Sequence, residues 1–172
     1  YQTKASISSI NNKQLPGILL NGSPGYINII DAIQSWQLVE EIEKSTGLFA
    51  VSSFKHTTPT GVAVGLPLLP EECDYFNVDG SISLPALTFL RARHIDPLSS
   101  FGDFLACSGI VNEEMALKIK PYVSDGIIAR GYDDKALEIL KKKKRGKYII
   151  MKSNPLFVKN DIEFKEFGGL CL

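Results

Sequence analysis

The chain has 172 residues, which suits one domain, and 44% of them are hydrophobic, enough for a real core. Lys plus Arg and Asp plus Glu both number 19, so the formal net charge is zero and electrostatics gives no pointer to nucleic acid or membrane as partner. No apolar run is long enough to span a bilayer, no signal peptide is visible, and Cys73, Cys107 and Cys171 lie far apart without C-x-x-C spacing, reading as reduced thiols of a cytosolic protein.

In chain order, the first twenty residues alternate loosely between polar and apolar and end in Ile18-Leu-Leu20. Asn21-Gly-Ser-Pro-Gly25 is a turn cluster. Asp31 is placed to cap a helix whose apolar residues Ile33, Trp36, Val39 and Ile42 keep three-residue spacing, widened by Ala32 and Leu38. Glu40, Glu41, Glu43 and Lys44 form its wet side, and Gly47 ends it. Leu48 to Phe54 reads as a buried strand. Lys55-His56 close that strand and open a loop, Thr57 to Gly61, whose Pro59 and Gly61 argue against simple continuation.

Leu66 to Gly80, rich in Pro, Gly and acid, reads as loop or short helix. A helix is expected from Leu84 or Pro85 to Arg93, with Pro85 in its first turn. Ser99 to Gly102 is a turn into a short strand, Asp103–Cys107. Asn112 caps a helix from Glu113 to about Lys120. Gly126–Ala129 is a further buried strand, and Asp133 begins a helix to about Lys144 with Ala136, Leu137 and Leu140 inward. Gly146 ends that helix, and Tyr148–Met151 is the next strand. Phe167 to Leu172 also looks like a strand, so a chain that starts at Tyr1 and stops there reads as a piece of a longer protein.

Strands alternating with modest helices argue for a three-layer α/β/α unit. Small molecules bind such sheets beyond the carboxyl ends of the strands. This reading places Lys55-His56, Gly102 and Asp125 there. Both side chains of a strand pair can reach one molecule only where the backbone turns. An imidazole, ordinarily titrating at about 6.5, can accept a proton beside an ammonium that stabilises developing negative charge. The alternative is a surface lysine beside a loop histidine. Gly102 between Phe101 and Asp103 lets a ligand approach the backbone, or simply makes a tight turn. Asp125 could accept hydrogen bonds from ribose hydroxyls, or belong to an Asp-Gly turn. Asn21 to Tyr26 lacks the spacing of either standard Gly-rich phosphate fingerprint. Lys141 to Arg145 is a phosphate or localisation patch, or a solvated helix end. With only His56 and His94 and no Cys/His cluster, no metal site is expected.

Leu20-Asn-Gly-Ser-Pro-Gly-Tyr-Ile-Asn28, Ser53-Phe-Lys-His56 with Pro59 and Gly61, Arg91-Ala-Arg93, Ser99-Ser-Phe-Gly-Asp-Phe104 and Val123 to Tyr132 occur in this order. Together they resemble the formyltransferase domain of the bifunctional purine biosynthesis proteins, AICAR transformylase, over nearly the whole chain. The resemblance implies a cytidine-deaminase-like α/β/α fold without the deaminase zinc, of which residues 1–172 are the first of two similar halves. The second half and a preceding IMP cyclohydrolase domain would lie outside this chain. It implies formyl transfer from 10-formyltetrahydrofolate to the amine of AICAR, in a cytosolic homodimer. His56 matches the proton acceptor and Lys55 the residue stabilising the transition state. Gly102 and Asp125 match nucleotide contacts, and Ile27 a further substrate wall. The family reads Pro where Arg130 stands, which bears on the local turn, and Thr57-Thr58 depart from the usual small or hydrophobic residues. Two other classes compete. A non-catalytic nucleotide-binding module would bind without turnover, and a structural domain would bind nothing.

Overall fold

A computed structural model describes residues 14–157 and 166–171. Of the first twenty residues, expected to alternate loosely, 1–13 lie outside the described residues, and the strand Gly17–Asn21 includes the last four. Six strands form one open mixed sheet in the order β1-β6-β5-β4-β2-β3. They are β1 (Gly17–Asn21), β2 (Ala50–Lys55), β3 (Thr58–Val64), β4 (Asp103–Val111), β5 (Ser124–Tyr132) and β6 (Ile149–Ser153). β4, β5 and β6 run parallel, whereas β2 is antiparallel to β4, β3 to β2, and β1 to β6.

One long helix, α1 (Tyr26–Thr46), covers one face and buries Ala32, Trp36 and Val39 against Ala50, Phe104, Ala106, Ile128 and Met151. The opposite face carries α3 (Leu84–His94), α4 (Glu113–Ile119) and α5 (Asp134–Lys141), packed on Val51, Leu105, Ile127, Ala129 and Ile150. The three-layer α/β/α architecture expected from the sequence is therefore present. A short α2 (Pro70–Phe76) occupies the Pro- and acid-rich segment. Residues 166–171 form a small hairpin, β7 (Glu166–Phe167) with β8 (Leu170–Cys171), turned by Gly168-Gly169 where a single strand was expected over Phe167 to Leu172. Among the described residues no helix is long and apolar enough to cross a membrane.

Asn112 caps α4 as read, its Oδ1 accepting the Met115 N–H at 2.9 Å. Asp31 does not cap α1. The helix starts five residues earlier, where Asn28 Oδ1 accepts the Gly25 N–H at 3.0 Å, and Asp31 lies inside it, 5% exposed. The buried face is centred on Ala32, Ser35, Trp36 and Val39, so Ile33 stands beside it, half-buried. The expected loop Thr57 to Gly61 is mostly strand. Pro59 is tolerated because β3 is the sheet's edge and the ladder is bulged there, Ser53 pairing Gly61 while Phe54 pairs Pro59. Gly61 is needed for contact with α3, since a Cβ on it would stand 2.1 Å from the Ala92 carbonyl oxygen. Position 130 holds no turn. β5 continues through Arg130, whose guanidinium pairs with Glu43 of α1.

A candidate active site on one sheet edge

β2 ends where β4, β5 and β6 begin, because it is antiparallel to β4 and Phe54 pairs with Phe104. Lys55-His56, Gly102 and Asp125 do share one edge of the sheet. That edge is the amino end of the three parallel strands, not their carboxyl end as expected. The sequence shows strands without showing their directions. The end of β1 and the start of α1 lie on the same edge, since Asn21 pairs with Ile150 at the beginning of β6.

Lys55 pairs with Thr58, so His56 and Thr57 alone connect β2 to β3. Both have positive φ, 52° and 67°. This is the two-residue turn geometry that matches strand twist and that Asn-Gly usually fills. Left-handed backbone costs an L-residue about 1–2 kcal/mol, and a β-branched threonine suits it poorly. The turn is held from outside: the Thr57 N–H donates to Asp31 Oδ1 at 2.6 Å. A hydrogen bond to a carboxylate contributes about 1.5–3 kcal/mol, which offsets much of the strain of two left-handed residues.

The neighbouring connection, Ser99 to Gly102, is held from beneath. The Ser53 hydroxyl donates to Asp103 Oδ2 at 2.6 Å and lies 3.1 Å from the Ser100 hydroxyl. The hydroxyl of Thr60, the residue bulged out of β3, lies 2.8 Å from Ser53 Oγ and 2.9 Å from Ser100 Oγ. Asp103, fully buried, faces the buried Arg93 of α3 at 3.6 Å. Burial raises the Asp103 carboxyl pKa against the opposing pull of Arg93 and then Ser53. Arg93 also stacks over the Tyr122 ring at 4.9 Å. On this platform the Phe101 carbonyl accepts a hydrogen bond from Lys55 Nζ at 2.7 Å. Gly102 follows with φ 80°, its N–H bonded to Val123 O at 2.9 Å and open space where a Cβ would stand.

Lys55 and His56 line one open hollow of about 420 Å³ together with Thr58, Pro59, Thr60, Asp96 and Ser99. His56 is exposed and Lys55 half-buried. Gly102 adjoins the carbonyl that holds Lys55 but does not line the hollow, and neither do Asp125 and Ile27. Asp125, near the start of β5, is ion-paired to Lys144 at 2.7 Å. Ile27 lies in the first turn of α1 and is exposed. Among the described residues no group of three or more His, Cys, Asp or Glu side chains could hold a metal ion.

Sequence reasoning missed Asp31 as the partner of the turn, the Ser53–Asp103–Arg93 platform, and Lys144. The basic run Lys141 to Arg145 is not simply a solvated helix end. It folds back at Lys144 and Arg145, both left-handed, so Lys143 is half-buried over the Tyr148 ring and donates to Tyr122 O. Burial, and then Lys144, lowers the Lys143 pKa. The one available signal was the pair of small hydroxyl residues, Ser52-Ser53, inside an otherwise apolar strand. The arrangement can present an ammonium and an imidazole side by side to one solute, above a rigid support.

A sequence description of the family named AICARFT/IMPCHase bienzyme matches residues 1–172. The chain is 30% identical over 151 residues to the bifunctional purine biosynthesis protein PurH of Petrotoga mobilis, covering 88% of this chain and 24% of that protein. It is 34% identical over 148 residues to PurH of Natranaerobius thermophilus, covering 85% and 25%. The chain thus spans about a quarter of the length of these relatives. A solved structure provisionally assigned as a formate dehydrogenase accessory protein of Desulfotalea psychrophila aligns over 83% of this chain and 58% of that one, with a TM-score of 0.48 and 12% identity, too little to carry an argument. On the match over its whole length, the chain belongs to the AICARFT/IMPCHase bienzyme family.

Proposed function

We propose that this chain supplies the Lys–His centre of an AICAR transformylase, acting in purine biosynthesis within a longer protein that also carries IMP cyclohydrolase activity. The observation that carries the reading is Lys55 and His56 side by side on one hollow, in a chain of this family. The substrates are the AICAR nucleotide and 10-formyltetrahydrofolate. Gly102, Asp125 and Ile27 serve the nucleotide, and the exposed Phe101 and Ile27 offer apolar surface for a ring system at the same edge.

The amine of AICAR is a weak nucleophile, because its lone pair delocalises into the ring. His56 takes its proton as the nitrogen attacks the formyl carbon. The Lys55 ammonium stabilises the tetrahedral oxyanion and gives a proton to the departing folate nitrogen. One proton is taken and one given, and transfer from imidazolium to amine resets the pair. Because the two act as a unit, losses on substituting each should not add. Lys144 engages Asp125 through Oδ1 alone, which leaves Oδ2 to accept from a ribose hydroxyl.

In this reading residues 1–172 are the first half of the transformylase, the rest of the site comes from outside them, and the complete protein works as a cytosolic homodimer. The isolated chain should then show little or no formyl transfer. The test uses the full-length protein: His56→Ala should lower turnover by about 100-fold or more, in the range of general-base contributions. A loss well under tenfold would rule out the proton-acceptor role.

A further inference from the structure

His56 sits in a backbone conformation that its own sequence does not favour. Neither His56 nor Thr57 is glycine or asparagine, yet both have positive φ in a two-residue turn. Such a turn persists where its surroundings over-determine it. Among the described residues, one hydrogen bond reaches this turn from a different element. Asp31 projects from α1 and its Oδ1 accepts the Thr57 N–H at 2.6 Å.

Asp31 has no role in its own helix. It lies five residues past the first, too deep to cap it. It is 5% exposed, and among the described residues no ion pair involves it. A buried carboxylate needs a partner, and the one it has is the amide next to His56. Its own place is fixed, because α1 packs on the sheet through Ala32, Trp36 and Val39. The Ser52 hydroxyl adds a weak tie from β2 to the Ser35 carbonyl at 3.5 Å.

We propose that Asp31 is the positioning residue of this site: its carboxylate clamps the left-handed turn and so sets where the His56 imidazole is presented beside Lys55. The claim rests on the functional reading of His56 given above. It adds that the helix on the opposite side of the turn determines the geometry of the proton acceptor. Asp31 itself touches no reacting atom. Removing it should therefore lower kcat and leave KM for the nucleotide nearly unchanged. An oxygen acceptor of the same shape should replace it.

The test uses the full-length protein that contains this chain. Asp31→Ala should lower kcat for formyl transfer at least tenfold, with KM for AICAR changed less than threefold. Asp31→Asn, which keeps an acceptor oxygen, should stay within about threefold of the parent. Adding Thr57→Gly to Asp31→Ala should recover part of the lost kcat, since glycine holds positive φ unaided. A merely structural aspartate would cost folded protein and leave kcat per folded enzyme unchanged, so kcat is referred to the folded fraction. A kcat unchanged by Asp31→Ala, or lost without recovery in either partner variant, overturns the proposal.

Hydrogen exchange at the Thr57 amide separates this claim from the functional one. It should be at least 100-fold slower in the parent and in Asp31→Asn than in Asp31→Ala. Fast exchange in the parent overturns the clamp whatever the activity shows. Slow exchange in a parent that transfers no formyl group would leave the clamp standing and remove the role given to His56. Should Asp31→Ala fail to fold, the parent and Asp31→Asn exchange rates still decide.

Discussion

The two connections that meet at Lys55 solve one problem in opposite ways. The turn His56–Thr57 uses residues with side chains where the backbone wants none, and is held by a carboxylate from a separate helix. The turn ending at Gly102 uses glycine for its positive φ, and rests on a buried polar platform of Ser53, Ser100 and Asp103. The first keeps a chemically useful side chain at a strained position. The second keeps bare main chain at a relaxed one. A site that needs a titratable group in one place and an approachable backbone in the other has reason to differ in this way.

The comparison is most easily broken from below. Asp103→Ala leaves the Arg93 guanidinium buried without its carboxylate, and should cost about 3–5 kcal/mol in denaturant unfolding. A cost under about 1 kcal/mol would mean that the platform supports nothing. Next in size, substitutions at the two turns should act with opposite signs, because one adds a side chain at a left-handed position and the other removes one. Gly102→Ala adds left-handed strain of about 1–2 kcal/mol with no clash to add to it. Thr57→Gly should stabilise by about 0.5–1 kcal/mol, strain relief being offset in part by the entropy glycine adds to the unfolded chain. Equal signs would mean that left-handed strain does not govern one of the two turns.

The smallest effect is a pH slope from the helix beneath the platform. His94 bonds Tyr122 Oη through Nε2 at 2.8 Å amid Tyr75 and Phe76, and burial, then Arg93, lowers its pKa from the usual 6.5. A folded state that binds the proton less tightly loses stability as pH falls from about 6.5 through the lowered value. His94→Gln should flatten that part of the melting-temperature profile. Asp103 has the reverse sign. Its raised pKa makes its contribution decline as pH rises from the usual carboxylate value through the folded one.

Much of this was legible in the residues. Asn112, Gly47 and Pro85 marked helix ends by local chemistry, and local chemistry survives folding. β3 was not legible, because Thr-Pro-Thr-Gly has the composition of a loop and is a strand only through its place at an edge beside a bulge. Asp31 looked like a cap because an acid before an apolar stripe usually is one. Its true partner is 26 positions away. The Lys-His pair could be singled out from its position at a strand end. The sheet edge on which it lies could not be assigned, since that depends on β2 pairing antiparallel to a strand fifty residues later.

Lys55 begins with one of its three ammonium hydrogens already committed to the Phe101 carbonyl. A lysine so tethered has given up most of the torsional search that four methylenes allow, and its two remaining hydrogens are aimed before any anion arrives. The same tether makes the amine a reporter of its neighbour. Whatever shifts residues 99–102 shifts the cation with them, so the placing of this ammonium can be tuned from the loop that tethers it.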